Sequence, residues 1–280
     1  MDNIQVVVDS TAGIDAKLLN RYNNLHIVPL KVNLAGVEYN ENQLEVTELL
    51  ETVEKNNEYP KTSQPAIGEF QALFQELSKT NNKIIVLCLA AGLSGTVQGA
   101  KTAANMVANK EIAVIDSTST AIGLYKLVEF AMNSITQEKS FADIVIELEK
   151  RAQKTHTLLT PATLEFLHKG GRIGGAAKVF GTILQIKPVL SLQAGKIILL
   201  DKVRTRARSL QRMVQELNNY QNLEYIGVVH VKAEGEAKLL TEQVQKLYPQ
   251  IPVSCTQAGA VVASHLGAGV IAIIFQEKTK

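Results

Sequence analysis

Ser94 stands where a hydroxyl could do chemistry. It falls between an apolar run, KIIVLCL at 83–89, and a segment of helical period that begins near Thr96, with Gly95 directly behind it. Free N–H groups at a helix start, the helix dipole and a hydroxyl together suit an anion. The same position also suits a plain N-cap, a common use of serine. Thr62 and Ser63 pose the same choice ahead of Pro65. Either can cap the helix that follows or turn its hydroxyl to a ligand; Thr62 is expected to face the ligand and Ser63 to cap. A carboxylate has no donors of its own and needs several, and hydroxyls from two loops supply them without a counter-charge.

A nucleophile is the other use of such a serine. Gly92-Leu93-Ser94-Gly95-Thr96 is a near miss of the G-x-S-x-G elbow, and Ser94, Asp116 and His265 fall in α/β-hydrolase order. Thr96 takes the place of the second glycine, and its β-carbon would crowd that turn. A serine hydrolase is therefore the alternative function. No G-x-x-x-x-G-K-[ST] is present, the glycines at 170–175 do not spell a dinucleotide fingerprint, and the histidines and cysteines show no zinc spacing.

Arg172 sits in a glycine corner, KGGRIGG, between two short helical registers, one carrying Leu164 and Leu167 and one carrying Val179, Phe180, Ile183 and Leu184. Gly170-Gly171 can end the first by taking a positive φ. A second basic group, Lys202, Arg204, Arg206, Arg208 and Arg212, runs from a strand into a helix start. There each charge opposes the helix dipole at roughly 0.3–1 kcal/mol. Such a run is either a solvated face or a surface for an anionic partner.

The elements that must hold these residues follow from hydrophobic period. Apolar runs at 4–8, 26–30, 83–89 and 111–115 read as strands. Helical patterns occupy 46–54, 67–77, 96–107, 121–133 and 141–152. Strands alternating with helices at this spacing indicate a parallel sheet of Rossmann-like type, whose ligands gather outside the carboxyl ends of the strands. Asp9-Ser10-Thr11, Ser94-Gly95-Thr96 and Asp116-Ser117-Thr118 all follow strands, so one polar rim is expected. Beyond 155 the order changes to a strand, two short helices, a hairpin turning at Ala194-Gly195, then a helix at 205–217, strands at 225–231, 253–257 and 270–275, and a helix at 234–247. The expected fold class is α/β: a parallel-sheet domain over 1–155 and an α+β domain with a mixed or antiparallel sheet over 156–280.

The 280-residue chain is 46% hydrophobic and 20% charged, enough for a sizeable core. A net charge of +2 does not argue for nucleic acid or an anionic membrane surface. No run approaches the length of a membrane span, and the start lacks a signal-peptide pattern. Cys88 and Cys255 read as buried thiols rather than a disulfide or metal pair. The cytoplasm is the expected compartment, with no stable membrane insertion.

KGGRIGG followed by IKPVLSL resembles the DegV family of bacterial lipid-binding proteins. Asp9-Ser10-Thr11, Thr62-Ser63-Gln64-Pro65, Leu93-Ser94-Gly95-Thr96 and His265-Leu266-Gly267-Ala268-Gly269 resemble it too, in order along nearly the whole chain. Some members are the fatty acid-binding subunit of a bacterial fatty acid kinase. The resemblance implies a long-chain fatty acid as ligand, its carboxylate at Thr62, Ser63, Ser94, Gly95, Thr96 and His265. It also implies no metal or cofactor and no catalysis by this chain alone. The partner would be an ATP-dependent kinase subunit, met by a surface including Arg172; Arg204 and Arg206 are added to that surface as a hypothesis. Ala268 stands where the family usually has Pro, Ala66 where Ser is common, and Val97 where Tyr is frequent. These changes bear on chain preference and loop rigidity.

Overall fold

The run Ile4–Asp9 is buried on both faces. Val6 and Val8 face one apolar cluster and Val7 another, all at 0% exposure, as a strand covered on both faces requires. The structure, a computed structural model, describes residues 3–80, 82–108, 111–182 and 186–279. In chain order the elements up to residue 153 are β1 (Ile4–Asp9), α1 (Ala16–Arg21), β2 (Leu25–Val28), β3 (Lys31–Leu34), β4 (Val37–Asn40), α2 (Val46–Asn56), β5 (Lys61–Ser63), α3 (Ile67–Ser78), β6 (Lys83–Cys88), α4 (Thr96–Asn105), β7 (Ile112–Asp116), α5 (Ile122–Thr136) and α6 (Phe141–Gln153). After them come β8 (Thr155–Thr160), α7 (Glu165–Lys169), a 3₁₀ stretch Gly174–Thr182, β9 (Lys187–Gln193), β10 (Lys196–Val203), α8 (Arg206–Glu216), β11 (Leu223–His230), α9 (Glu234–Leu247), β12 (Val253–Gln257), α10 (Ala260–Leu266) and β13 (Ile271–Glu277).

Strands β2-β1-β6-β7 form a four-stranded sheet, parallel throughout. Strands β10-β9-β8-β13-β11-β12 form a six-stranded mixed sheet, in which only β11 and β12 run parallel. The chain is thus α/β, with a parallel sheet first and an α+β layer with a mixed sheet after it. One face of the parallel sheet packs on α3 and α4 through Phe70, Phe74 and Ala100. The outer face of the mixed sheet packs on α8 and α9 through Met213, Leu240 and Val244. The two inner faces share one core, which holds Val6 and Leu87 of the first sheet and Leu159, Leu190 and Val229 of the second.

Three differences from the sequence reading matter for the site. A three-stranded antiparallel sheet, β4-β3-β5, lies between β2 and α3. It takes Thr62 and Ser63 out of a turn and into a strand, because Val32 pairs with Thr62 and Lys31 with Ser63. His265 lies on a helix, α10, where only a loop was expected. The second helix of the glycine corner is a 3₁₀ stretch; Ile183 and Leu184 lie outside the described residues. Cys88 is buried and Cys255 partly so, both as free thiols. Among the described residues no helix is long and apolar enough to cross a membrane.

Candidate functional site

The turn after β6 is fixed by three successive backbone N–H groups. Leu89 donates to Asp9 Oδ2 at 2.5 Å, Ala90 to the Ser119 carbonyl at 2.8 Å and Ala91 to Asp116 Oδ1 at 3.1 Å. Asp9 also accepts from the Thr11 N–H and hydroxyl at 3.0 and 2.6 Å, and Asp116 from the Thr118 N–H at 2.8 Å. The acids at the ends of β1 and β7 therefore build the Ser94 turn. This corrects the expectation of three hydroxyl-rich turns facing one ligand: of Ser10, Thr11, Ser94, Thr96, Ser117 and Thr118, only Ser94 lines the cavity described below. Burial pushes the Asp9 carboxyl up to about 6, with its three donors pulling the other way.

Ser94 Oγ lies 2.9 Å from Thr96 Oγ1, and the Thr96 N–H points to it at 3.4 Å. Thr96 is fully buried and stays outside the cavity. With Thr96 as donor, the Ser94 proton is left for a ligand. Gly95, not Ser94, is the N-cap of α4. A β-carbon on Gly95 would meet Gln64 Oε1 at 2.0 Å, so this glycine lets the β5–α3 connection close over the turn. From the other side the β9–β10 hairpin seats its tip on the same turn: a β-carbon on Gly92 would lie 2.2 Å from the Gly195 carbonyl oxygen.

Thr62 and His265 meet between the small sheet and α10, with Thr62 Oγ1 2.7 Å from His265 Nε2. Nδ1 of His265 is buried without a partner. An orphaned N–H is rarer in proteins than an under-used lone pair, which favours the tautomer with the proton on Nε2. Nε2–H then donates to Thr62, and the Thr62 hydroxyl proton is free for a ligand. Burial, with the Arg172 cation second, holds the His265 pKa down to about 4, so the ring is neutral at pH 7. Arg172 is fastened by its Nε to the Leu93 carbonyl at 3.1 Å and by Nη1 to the Gly170 carbonyl at 2.7 Å. Gly170 must be glycine, since a β-carbon there would stand 2.3 Å from His265 Nδ1.

These contacts surround one end of an apolar cavity between the two large sheets. Thr62, Ser63, Gln64, Ser94, Arg172 and His265 line it together with Leu30, Leu89, Leu159, Leu167, Leu192, Ile197, Val229, Val261 and Ile274, among others. A more open pocket adjoins it, lined by Ser94, Gly95, Arg172, Gly174, Gly175 and Lys196. The chemistry is that of a weakly basic, donor-rich opening on a greasy interior.

Other expectations are corrected. Ser63 does not cap α3: the N-cap is Ala66, whose N–H donates to Glu69 Oε2 at 2.7 Å. The hydrolase triad is not assembled, because His265 bonds Thr62 and has no partner on Nδ1, while Asp116 is engaged by Ala91 and Thr118. Arg204 is exposed. Arg206 is a staple: it pairs with Glu236 through Nε and Nη2, and donates to the carbonyls of Thr160 and Gly269 at 2.9 and 2.8 Å. Sequence reasoning missed Glu41, which is buried and caps α10 by accepting from the Val261 N–H at 3.0 Å. Ser10 donates to its other oxygen at 2.5 Å, and burial raises its pKa to about 7. Its signal would have been an acid directly after β4, a strand the pattern did not reveal.

Known proteins share this fold. The family described as uncharacterised proteins, DegV family, matches residues 3–278. Protein DegV of Bacillus subtilis is 33% identical over 279 residues, covering 97% of this chain and 98% of that one. Its crystal structure, that of a fatty acid binding protein, superposes with a TM-score of 0.88 at 32% identity, over 99% of this chain and 100% of that one. A DegV family protein from Thermus thermophilus, for which fatty acid binding is described, gives 0.90 at 29% identity, over 99% and 100%. A fatty acid binding DegV family protein from Streptococcus agalactiae gives 0.92 at 25% identity, over the whole of both chains. Matched end to end in sequence and in fold, this chain belongs to the DegV family.

Proposed function

We propose that the protein is a cytoplasmic carrier that encloses a long-chain fatty acid and presents its carboxylate to a separate ATP-dependent kinase for acyl-phosphate formation. One arrangement carries the reading: an apolar cavity lined by the hydroxyls of Ser94 and Thr62, each left a proton for a ligand when Thr96 and His265 donate to them, beside a neutral histidine and an arginine. A carboxylate supplies the acceptors those donors lack, and the chain's methylenes exchange water for leucine and valine at roughly 0.8 kcal/mol each. Fatty acid binding by the similar proteins of Bacillus subtilis and Thermus thermophilus supports the same ligand class. Residues 1–155 and 156–280 act as two units that close on the ligand, and both contribute lining.

The protein itself catalyses nothing in this reading. Arg172, at the wall shared by the cavity and the open pocket, faces the transferred phosphoryl group, and exposed Arg204 meets the kinase. Arg206 serves by holding the loops beside it. Mass spectrometry of lipid extracted from the purified protein tests the carrier reading: a long-chain fatty acid is expected, and apo protein that also takes up no added acid contradicts it. The kinase role is tested by ATP-dependent acyl-phosphate formation with a fatty acid kinase subunit. Arg204→Ala should slow it while fatty acid affinity stays unchanged.

A further inference from the structure

The cavity is lined by a second pair of hydroxyls, separate in its hydrogen bonds from Thr62 and Ser94. Thr120 and Thr157 both line it. Thr157 lies on β8, opposite Leu192 of β9 and Ile274 of β13, which also line the cavity. Thr120 belongs to the turn between β7 and α5, where Thr118 and Ala121 take positive φ values of 55° and 49°. Ser119, fully buried, joins the two: its Oγ lies 3.4 Å from Thr157 Oγ1. Thr120 Oγ1 is buried with no hydrogen-bond partner. The hydroxyls at the mouth are engaged with one another's neighbours, Thr62 with His265 and Ser94 with Thr96, and none of those bonds reaches Thr120 or Thr157.

A buried hydroxyl without a partner calls for an explanation in each case. A methylene chain passing Thr120 gives it none, since carbon neither donates nor accepts. An oxygen on the chain does, and a hydroxyl oxygen both accepts from Thr120 and donates to Thr157. We propose that the Thr120–Thr157 station recognises a hydroxyl group on the acyl chain, so that the ligand class extends to hydroxy fatty acids. This rests on the carrier reading and refines its substrate.

The test titrates delipidated protein with stearic acid and with positional isomers of hydroxystearic acid. One isomer should bind roughly 3- to 10-fold more tightly than stearic acid, the size of one net hydrogen bond. Thr120→Val should abolish that preference and bind stearic acid at least as tightly as the wild type, because the lost hydroxyl had no partner to abandon. Thr120→Ser should keep the preference, and Thr157→Val should reduce it. Stearic acid uptake is the check that each variant folds. Equal or weaker binding of every isomer by the wild type overturns the proposal, and so does a preference that survives Thr120→Val; a resident water satisfying Thr120 would give the first result. Failure of the wild type to bind any C18 acid overturns the carrier reading instead, and this proposal with it.

Discussion

The turns after β1 and β6 both carry a serine and a threonine within three residues, yet they do opposite work. After β1, Asp9 takes the Thr11 hydroxyl and N–H, and Ser10 gives its proton to Glu41. After β6 there is no acid, and the Ser94 hydroxyl is left beside a cavity. The lesson is that a hydroxyl's neighbours decide its use: an adjacent carboxylate consumes its proton, and a second hydroxyl can free it. The acid-bearing turn after β1 is frame, and the acid-free turn after β6 belongs to the site.

Substitutions can break this contrast. Asp9→Ala strands the Leu89 N–H and both Thr11 donors in a fully buried place, at about 1–3 kcal/mol per orphaned group. It should cost the fold about 3 kcal/mol or more in denaturant unfolding, the largest effect expected. Thr62→Ala and Ser94→Ala should each weaken fatty acid binding by about 1.5–3 kcal/mol, the worth of a hydrogen bond to a charged group; Ser94→Ala should leave the unfolding midpoint nearly unchanged, while Thr62→Ala, which orphans the buried His265 Nε2–H, should also cost the fold about 1–3 kcal/mol. Ser117→Ala, in the acid-bearing turn after β7, should leave affinity unchanged.

Two arginines of the basic run sharpen the same point. Arg206→Ala should destabilise by about 1–3 kcal/mol, since it removes donors from Glu236 and two carbonyls, whereas Arg204→Ala should stay within about 0.5 kcal/mol. The smallest effect is in pH. His265 has a folded pKa of about 4 against an ordinary 6.5, so the unfolded chain binds the proton first. Its contribution to stability is present above pH 6.5 and is lost as pH falls toward 4. Between pH 7 and 6 the loss is below about 1 kcal/mol. Asp9 and Glu41, with raised pKa values, act in the opposite sense: their destabilising charge is relieved as pH falls from about 7. The His265 effect is therefore read as wild type against His265→Asn; equal slopes for the two would contradict the neutral, buried imidazole.

The long periodic elements were legible in the sequence. The pattern over Glu234–Leu247 and Val253–Gln257 matches the helix and strand found there, because α9 buries Ala237, Leu240 and Val244 on one face and β12 packs Val253 and Cys255, partly buried, against the same cluster. What escaped is short and held by its surroundings. α1, AKLLNR, has no buried residue to mark its period. The three residues of β5 become a strand only by pairing with β3, and α10, AVVASHL, reads as an apolar run until Glu41 caps it. The partners Thr62 and His265 sit on these two hidden elements. The residues were marked by their resemblance to a family pattern, but their bond to each other joins positions 203 apart and left no local trace. Arg172 was visible through its glycines; the staple role of Arg206 was not, since Glu236, Thr160 and Gly269 come to it only in the fold.

The central claim is that the freed hydroxyls of Thr62 and Ser94 bind a carboxylate at the mouth of an acyl cavity. Its most direct test is the affinity of delipidated protein for stearic acid and for octadecanol, in the wild type and in the Thr62→Ala/Ser94→Ala double variant. The acid should lose roughly a hundredfold or more, from two hydrogen bonds to a charged group, while the alcohol loses only several-fold. Equal losses for acid and alcohol, or unchanged affinity for the acid, would contradict it.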